Sequence, residues 1–122
     1  MSPEKQCFTE EDLSIQVSYD GDSATVEWSG MSEIQSPELS VGPFLKGLAP
    51  RLQGKKVTMD FRQLEYINSA TLQPILSLIK ELDDNKIDTV IKYDKAMESQ
   101  RITFRCIIAI TQPLTHITVV SA

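Results

Sequence analysis

The segment of residues 56–82 constrains the fold more than any other part of the chain. It begins with a short apolar run, residues 57–61, whose length and β-branched content are typical of a buried strand. It ends with an apolar stripe at helical spacing, formed by Leu72, Ile75, Leu76, Ile79 and Leu82. A strand that leads through a polar loop into a helix is where α/β proteins place their functional residues. The functional residues are therefore expected between the two.

Pro74 limits where this helix can begin, because proline has no N–H and loses a hydrogen bond beyond the first turn. An N-cap at Thr71 places Pro74 in the first turn at no cost. An N-cap at Asn68 or Ser69 places it in the second turn, at a cost of up to ~3 kcal/mol. The sequence therefore predicts a loop over residues 62–70, a cap at Thr71 and a helix that begins at Leu72. Ser69 is then a loop residue with a free hydroxyl.

The same stretch resembles the central motif of the STAS domain, the family that includes the bacterial anti-sigma-factor antagonists. That motif is a strand ending in Asp, a short loop with an aliphatic residue, Asp-Ser-(Ser/Thr/Ala)-Gly, and then an apolar helix. In this chain Asp60 stands near the end of the strand, and the run Ile67-Asn68-Ser69-Ala70-Thr71 precedes the helix. Two positions depart from the pattern: Asn68 stands in place of the usual Asp and Thr71 in place of the usual Gly.

The resemblance implies an α/β fold: a STAS-like single domain over residues 12–122, with a mixed β-sheet whose parallel core is packed by α-helices and with an opening β-hairpin. It implies that Ser69 is phosphorylated and that a protein partner binds at Asn68, Ser69, Ala70, Thr71 and Gln73. The implied partners are a serine kinase of the anti-sigma type and a cognate serine phosphatase, which together form a partner switch in transcription regulation. Two alternatives remain: a constitutive interaction or scaffold module, and a domain that senses a small molecule or nucleotide.

The rest of the chain fits this organisation. Residues 1–11 are polar and aperiodic and are predicted to form a mobile tail. Alternating runs at 13–19 and 24–28, joined by an Asp-Gly turn, predict the hairpin. Three prolines in residues 31–54 predict a broken helix whose main part begins near Pro43. Short strands follow at 89–93 and 116–120. Residues 99–110 fit a strand or a helix, and the resemblance favours a helix over 99–109.

Several residues allow two interpretations. Asn68 either shapes the loop by binding backbone groups or supports a left-handed turn. Ser69 is either a phosphoacceptor or a loop serine that satisfies nearby backbone groups, and Thr71 is a second, weaker acceptor candidate. Asp60 and Glu65 have no nucleophile or histidine beside them, which favours a solvated turn over acid–base catalysis. Trp28 and Cys106 are interpreted as core residues, and His116 as a polar surface residue.

Charge and composition exclude several function classes. The net charge of -5 argues against nucleic acid and anionic membranes as partners. No apolar run has the length of a transmembrane helix, and the N-terminus has no apolar signal region, so we expect a cytoplasmic protein. One histidine and two scattered cysteines provide no zinc ligand set. We therefore expect no metal, no cofactor, no catalytic residues and no enzymatic activity.

Overall fold

The computed structural model describes residues 4–121 of the chain. Six strands occur in this part: β1 Glu4–Glu10, β2 Leu13–Asp20, β3 Ser23–Ser32, β4 Lys56–Ile67, β5 Thr89–Tyr93 and β6 Ile117–Ser121. The helices of the same part are α1 Val41–Leu48, α2 Ser69–Asp84 and α3 Glu98–Thr111, with two short 3-10 helices at Pro37–Leu39 and Ala49–Leu52. The predicted broken helix is confirmed, and the ambiguous segment 99–110 is helical.

The strands form one mixed sheet in the order β1-β2-β3-β4-β5-β6. The first three strands pair antiparallel, which includes the predicted hairpin of β2 and β3. The strands β3, β4, β5 and β6 pair parallel, as strands separated by crossover helices do. The predicted mixed sheet with a parallel core and an opening hairpin is therefore confirmed.

One face of the sheet carries the hydrophobic core. Buried apolar side chains alternate with more exposed ones along β2, along β3 to Trp28 and along β4 to Phe61. Leu64 and Ile67 continue the buried set where β4 shifts its register against β3. The apolar stripes of the helices join the same cluster. Aromatic rings run through it: Phe61 lies 5.1 Å from Trp28 and 5.3 Å from Phe104, centroid to centroid. Trp28 is thus a core residue as predicted, whereas Cys106 lies exposed on α3, which corrects its assignment to the core.

Two predicted boundaries are wrong. The tail predicted over residues 1–11 is instead a paired strand at Glu4–Glu10, with residues 1–3 lying outside the described part. Phe8 is the one large apolar residue of this run, so its alternation is too weak to indicate a strand, and β2 supplies the pairing that makes it one. The loop predicted from residue 62 is also wrong, because β4 continues to Ile67 alongside β3.

Gly30 is required at the far end of β3. Its φ of +83° lies in the left-handed region, and a Cβ at this position would lie 1.8 Å from the backbone oxygen of Asp12. The register between β3 and β4 shifts on both sides of this position, between Glu27 and Ser29 and between Gly30 and Met31. The β1–β2 turn therefore packs directly on this irregular part of β3.

We predict that Gly30→Ala lowers the free energy of unfolding by roughly 2–4 kcal/mol, because the left-handed strain and the overlap with backbone add together. Gly47→Ala is the matched control. Gly47 lies in α1, and no atom outside its own helical surroundings lies within 4 Å of the place its Cβ would take. Alanine there should stabilise the protein by about 0.5–1 kcal/mol. Urea unfolding of both variants measures the difference. Equal stabilities would contradict the close approach at Gly30.

Candidate functional site

The junction of β4 and α2 is built by an asparagine cap. The helix begins at Ser69, and Asn68 is its N-cap with extended backbone at φ -80° and ψ 169°. Asn68 Oδ1 accepts the Thr71 N–H at 3.0 Å, the usual geometry of a side-chain cap. The predicted cap at Thr71 and helix start at Leu72 are therefore wrong, and so is the left-handed interpretation of Asn68. Pro74 lies in the second turn, where it has no N–H for the Ala70 carbonyl.

The Asn68 side chain also binds a distant part of the chain. Its Nδ2 donates to the carbonyl of Ile34 at 3.1 Å, and its backbone N–H donates to the carbonyl of Ser32 at 3.1 Å. Both acceptors lie at or beyond the end of β3. Donor and acceptor of the amide are thus both used, which explains why an amide stands where the STAS motif has a carboxylate. A carboxylate would place a second acceptor opposite the Ile34 carbonyl, and this hydrogen bond would be lost.

Thr71 is a buried member of the same network. Its hydroxyl donates to Asn68 Oδ1 at 2.6 Å and lies 2.8 Å from the hydroxyl of Ser32. Because Thr71 has one hydroxyl proton and gives it to Asn68, Ser32 is the donor in the second contact. Thr71 and Ser32 are both fully buried. Neither hydroxyl is accessible to an enzyme, so Thr71 has a structural role in place of the usual glycine.

Ser69 is the first residue of α2 and is exposed. Among residues 4–121, no hydrogen-bond partner is found for its hydroxyl. The first N–H groups of a helix have no partner within the helix, and here the cap engages that of Thr71. The N–H groups of Ser69 and Ala70 therefore remain available at the positive end of the helix dipole. The predicted free hydroxyl is present, although on a helix terminus rather than in a loop.

A groove of about 440 Å³ lies between α2 on one side and α1 with the Pro37–Leu39 helix on the other. Ser69 does not line it, but the next residue, Ala70, does. Ala70, Gln73 and Pro74 line its α2 wall. Of the five predicted contact residues, Ser69, Ala70 and Gln73 are thus on the surface at or next to this groove. Asn68 and Thr71 lie beneath them and hold the helix start in place, so these two position the surface rather than form it.

Gln100 is a buried polar side chain with a structural role that the sequence did not predict. It lies on α3, and its Nε2 donates to the carbonyls of Phe61 and Leu64 at 2.7 and 2.8 Å. The pairing of β4 with β5 ends at Asp60, so these carbonyls lie beyond the reach of that ladder. Gln100 therefore supplies the hydrogen-bond donor that β5 no longer provides in the final part of β4, the part that leads to Asn68. A glutamine within a helical stripe gives no sequence signal for this role.

The other polar candidates lie away from this site or are engaged. Asp60 forms a two-point ion pair with Arg62, with Oδ2 2.7 Å from Nη2, on the sheet face opposite the core. The hydrogen bond from Arg62 is the main cause that lowers the pKa of Asp60. His116 Nδ1 lies 2.9 Å from Asp88 and is partly exposed, as expected of a surface residue.

No set of three or more potential metal-binding side chains is found in the described residues. Within the same residues, no helix is long and apolar enough to span a membrane.

Comparison of the structure with solved proteins identifies the fold. No protein-family model matches the sequence, and no curated protein is significantly similar to it. The structure is similar to an anti-sigma factor antagonist from Mycobacterium paratuberculosis, with a TM-score of 0.61, 11% identity, and coverage of 84% of this chain and 86% of that one. The chain therefore has a STAS-like fold, as its central motif predicts.

Two further similarities involve SiaC of Pseudomonas aeruginosa. SiaC itself matches with a TM-score of 0.60 and 16% identity over 100% of both chains. The complex of the diguanylate cyclase SiaD with its activator SiaC contains a chain that matches with a TM-score of 0.67 and 11% identity, over 96% of this chain and 99% of that one. An anti-sigma antagonist and an enzyme activator are regulators that act through other proteins.

We predict that Asn68→Asp lowers the free energy of unfolding by about 1–3 kcal/mol, because it replaces the donor to the Ile34 carbonyl with an acceptor. Gln73→Glu makes the same amide-to-carboxylate change on an exposed position of α2. It should change stability by no more than about 0.5 kcal/mol. Denaturant unfolding at neutral pH compares the two. If both variants keep the wild-type stability, the Asn68 bridge is not what holds the junction.

We predict that Arg62→Gln raises the pKa of Asp60 towards its ordinary value of 3.8, because the side-chain hydrogen bond and the charge of Arg62 are lost while the backbone N–H of residue 62 still donates to Asp60. A carboxyl whose pKa is lowered in the folded state stabilises the fold above its unfolded pKa, and this stabilisation is lost as the pH falls through the folded pKa. Carboxyl chemical shifts followed by NMR between about pH 2 and 6 measure the change. An unchanged Asp60 midpoint in the variant would show that the ion pair does not persist in solution.

Proposed function

We propose that this protein is a partner-switching regulator that binds another protein through the exposed start of α2 and is controlled by phosphorylation of Ser69. The observation that carries the proposal is the exposure of Ser69 at the first position of the helix, with an unengaged hydroxyl and with the next residue, Ala70, lining a surface groove. The proposed partners are a serine kinase of the anti-sigma type and a cognate phosphatase. The regulation is proposed to act on transcription, in the cytoplasm.

The chemistry of the helix start favours a stable phosphorylated form. A phosphoserine carries about -1.5 to -2 charges at neutral pH. At Ser69 this charge would meet the positive end of the helix dipole and the two available N–H groups of the first turn. Phosphorylation is therefore expected to leave the fold intact and to change the surface by charge and bulk. An apolar partner contact next to Ser69 would then have to exclude a strongly hydrated group, which weakens it.

A second candidate partner is a signalling enzyme. The similarity to SiaC, described as the activator of a diguanylate cyclase, extends over the whole of both chains. In this version the same surface of α2 binds a nucleotide cyclase, and Ser69 controls that contact. Mass spectrometry of the proteins that co-purify from the native cell distinguishes the versions, because kinase and cyclase domains give different peptides.

We predict that the protein recovered from its native cell carries phosphate on Ser69, and that Ser69→Ala removes it. Ser77 provides the control, since it is also exposed on α2 but lies in the helix interior, where a kinase cannot bind the backbone without local unfolding. Ser77→Ala should leave the phosphate in place. Intact-mass and peptide mass spectrometry locate the modification. Phosphate on another residue would overturn the assignment, and no phosphate under any growth condition would favour the constitutive interaction module.

We predict that Ser69→Glu weakens binding of the co-purified partner while changing stability by no more than about 0.5 kcal/mol, since a negative charge is tolerated at a helix start. Leu76→Ala, on the buried face of the same helix, should instead lower the free energy of unfolding by ~2–5 kcal/mol. Titration calorimetry and urea unfolding separate the effects. Equal destabilisation by the two substitutions would contradict this division of α2 into a surface and a core face.

A further inference from the structure

The groove beside Ser69 has apolar walls. Pro37, Pro43 and Leu45 line one side, and Pro74 and Leu78 line the other. The exposed surface continues the apolar character at Leu39, which follows the groove residues Pro37 and Glu38 in the chain and is 79% exposed. No other large apolar side chain among residues 4–121 is as exposed. An open groove with apolar walls is a surface on which a partner can bury apolar side chains.

The walls of the groove determine what backbone can lie in it. They are formed by helices, and most of the N–H and C=O groups there are paired within the helix, with the Ala70 carbonyl and the first N–H groups of α2 as exceptions. An extended peptide would find no strand edge here and would leave its own backbone groups without partners. A helix satisfies its own backbone and offers apolar side chains at i, i+3 and i+4 to an apolar groove. The groove therefore fits an amphipathic helix.

The polar groups of the groove determine the charge of that helix. Glu38 and Glu81 line it with carboxylates, against the single cation Lys46. Pro74 adds an acceptor, because it cannot donate to the Ala70 carbonyl, and Ala70 also lines the groove. Acceptors thus outnumber cationic donors. A phosphate-bearing ligand is disfavoured by these carboxylates, whereas an arginine or lysine of a partner is complementary to them.

We propose that this groove is the docking site for an amphipathic helix of the partner protein, which inserts leucine-type side chains between α1 and α2 and places a basic residue near Glu81. The inference rests on the proposed function and names the part of the partner that the surface next to Ser69 receives. Ser69 does not line the groove itself, but it directly precedes Ala70, the first residue of α2 that does. A phosphate there would have to be desolvated as the helix docks.

The test uses blocked synthetic helical peptides and isotope-labelled protein observed by NMR. The first peptide carries Leu at two positions four residues apart and an Arg one turn beyond them. Its partners replace both Leu with Ala, or the Arg with Glu. We expect the first peptide to shift the amide signals of Ala70, Gln73 and Leu78, and each replacement to weaken binding at least roughly tenfold. No binding by any peptide, or equal binding by all three, would overturn the proposal.

Protein variants with matched controls complete the test. Ser77→Trp fills the groove from an exposed position, and Lys80→Trp places the same side chain on α2 outside it. Glu81→Lys reverses a groove charge, and Asp84→Lys reverses one outside it. We expect only the groove variants to lose the peptide, with circular dichroism unchanged in all four. A groove variant that binds like wild type would overturn the proposal.

The same variants separate this inference from the proposed function. If Ser69→Glu releases the co-purified partner while Ser77→Trp does not, the switch stands and the groove is not its docking site. Binding of a small molecule in the groove that Ser77→Trp abolishes, with no effect of any peptide, would likewise overturn the helix as occupant. If the peptide binds in the groove but Ser69 is never phosphorylated, the docking site stands and the switch fails.

Discussion

The side chain of Asn68 joins the two parts of the chain that make the site. Through Oδ1 it caps α2, and through Nδ2 it binds the Ile34 carbonyl, which lies just after β3. Each such hydrogen bond contributes only about 0.5–1.5 kcal/mol net, but leaving a buried partner unsatisfied costs about 1–3 kcal/mol. The hydrogen bonds of Asn68 therefore depend on one another, and the buried hydroxyls of Thr71 and Ser32 belong to the same network. The position of Ser69 follows from it, because Ser69 is the residue directly after the cap.

The two faces of α2 have different roles. One face carries Ile75, Leu76 and Ile79 into the core, which anchors the helix on the sheet. The other face carries Ala70, Gln73 and Ser77 along the groove. The proposed phosphorylation of Ser69, which is exposed, would therefore change the surface of α2 without changing its core face, as the proposed switch requires.

Pro74 lies beyond the first turn of α2, where proline is normally disfavoured. Taken alone, its missing N–H places the cap at Thr71 and the helix start at Leu72. In the structure the helix begins three residues earlier, at Ser69, and accepts the proline in its second turn. The buried bonds of Asn68 and Thr71 to β3 and the residues just after it offset the missing helical hydrogen bond. The proline then acquires a different role, because it lines the groove and leaves the Ala70 carbonyl without its helical donor.

The sequence alone determined the order of elements from β2 to β5, because alternation in β2 and β3 and the stripe of α2 indicate directly which face is buried. It missed β1, and its periodicity left residues 99–110 open between strand and helix. It also marked Ser69 as the candidate site, through the resemblance of the motif around it. Only the tertiary structure decided the length of β4, the cap and the groove. Asn68 and Thr71 bond to residues 34 and 39 positions away, and Gln100 reaches β4 from α3. A pattern of local propensities contains no information on such contacts, since their partners come together only when the strands pair.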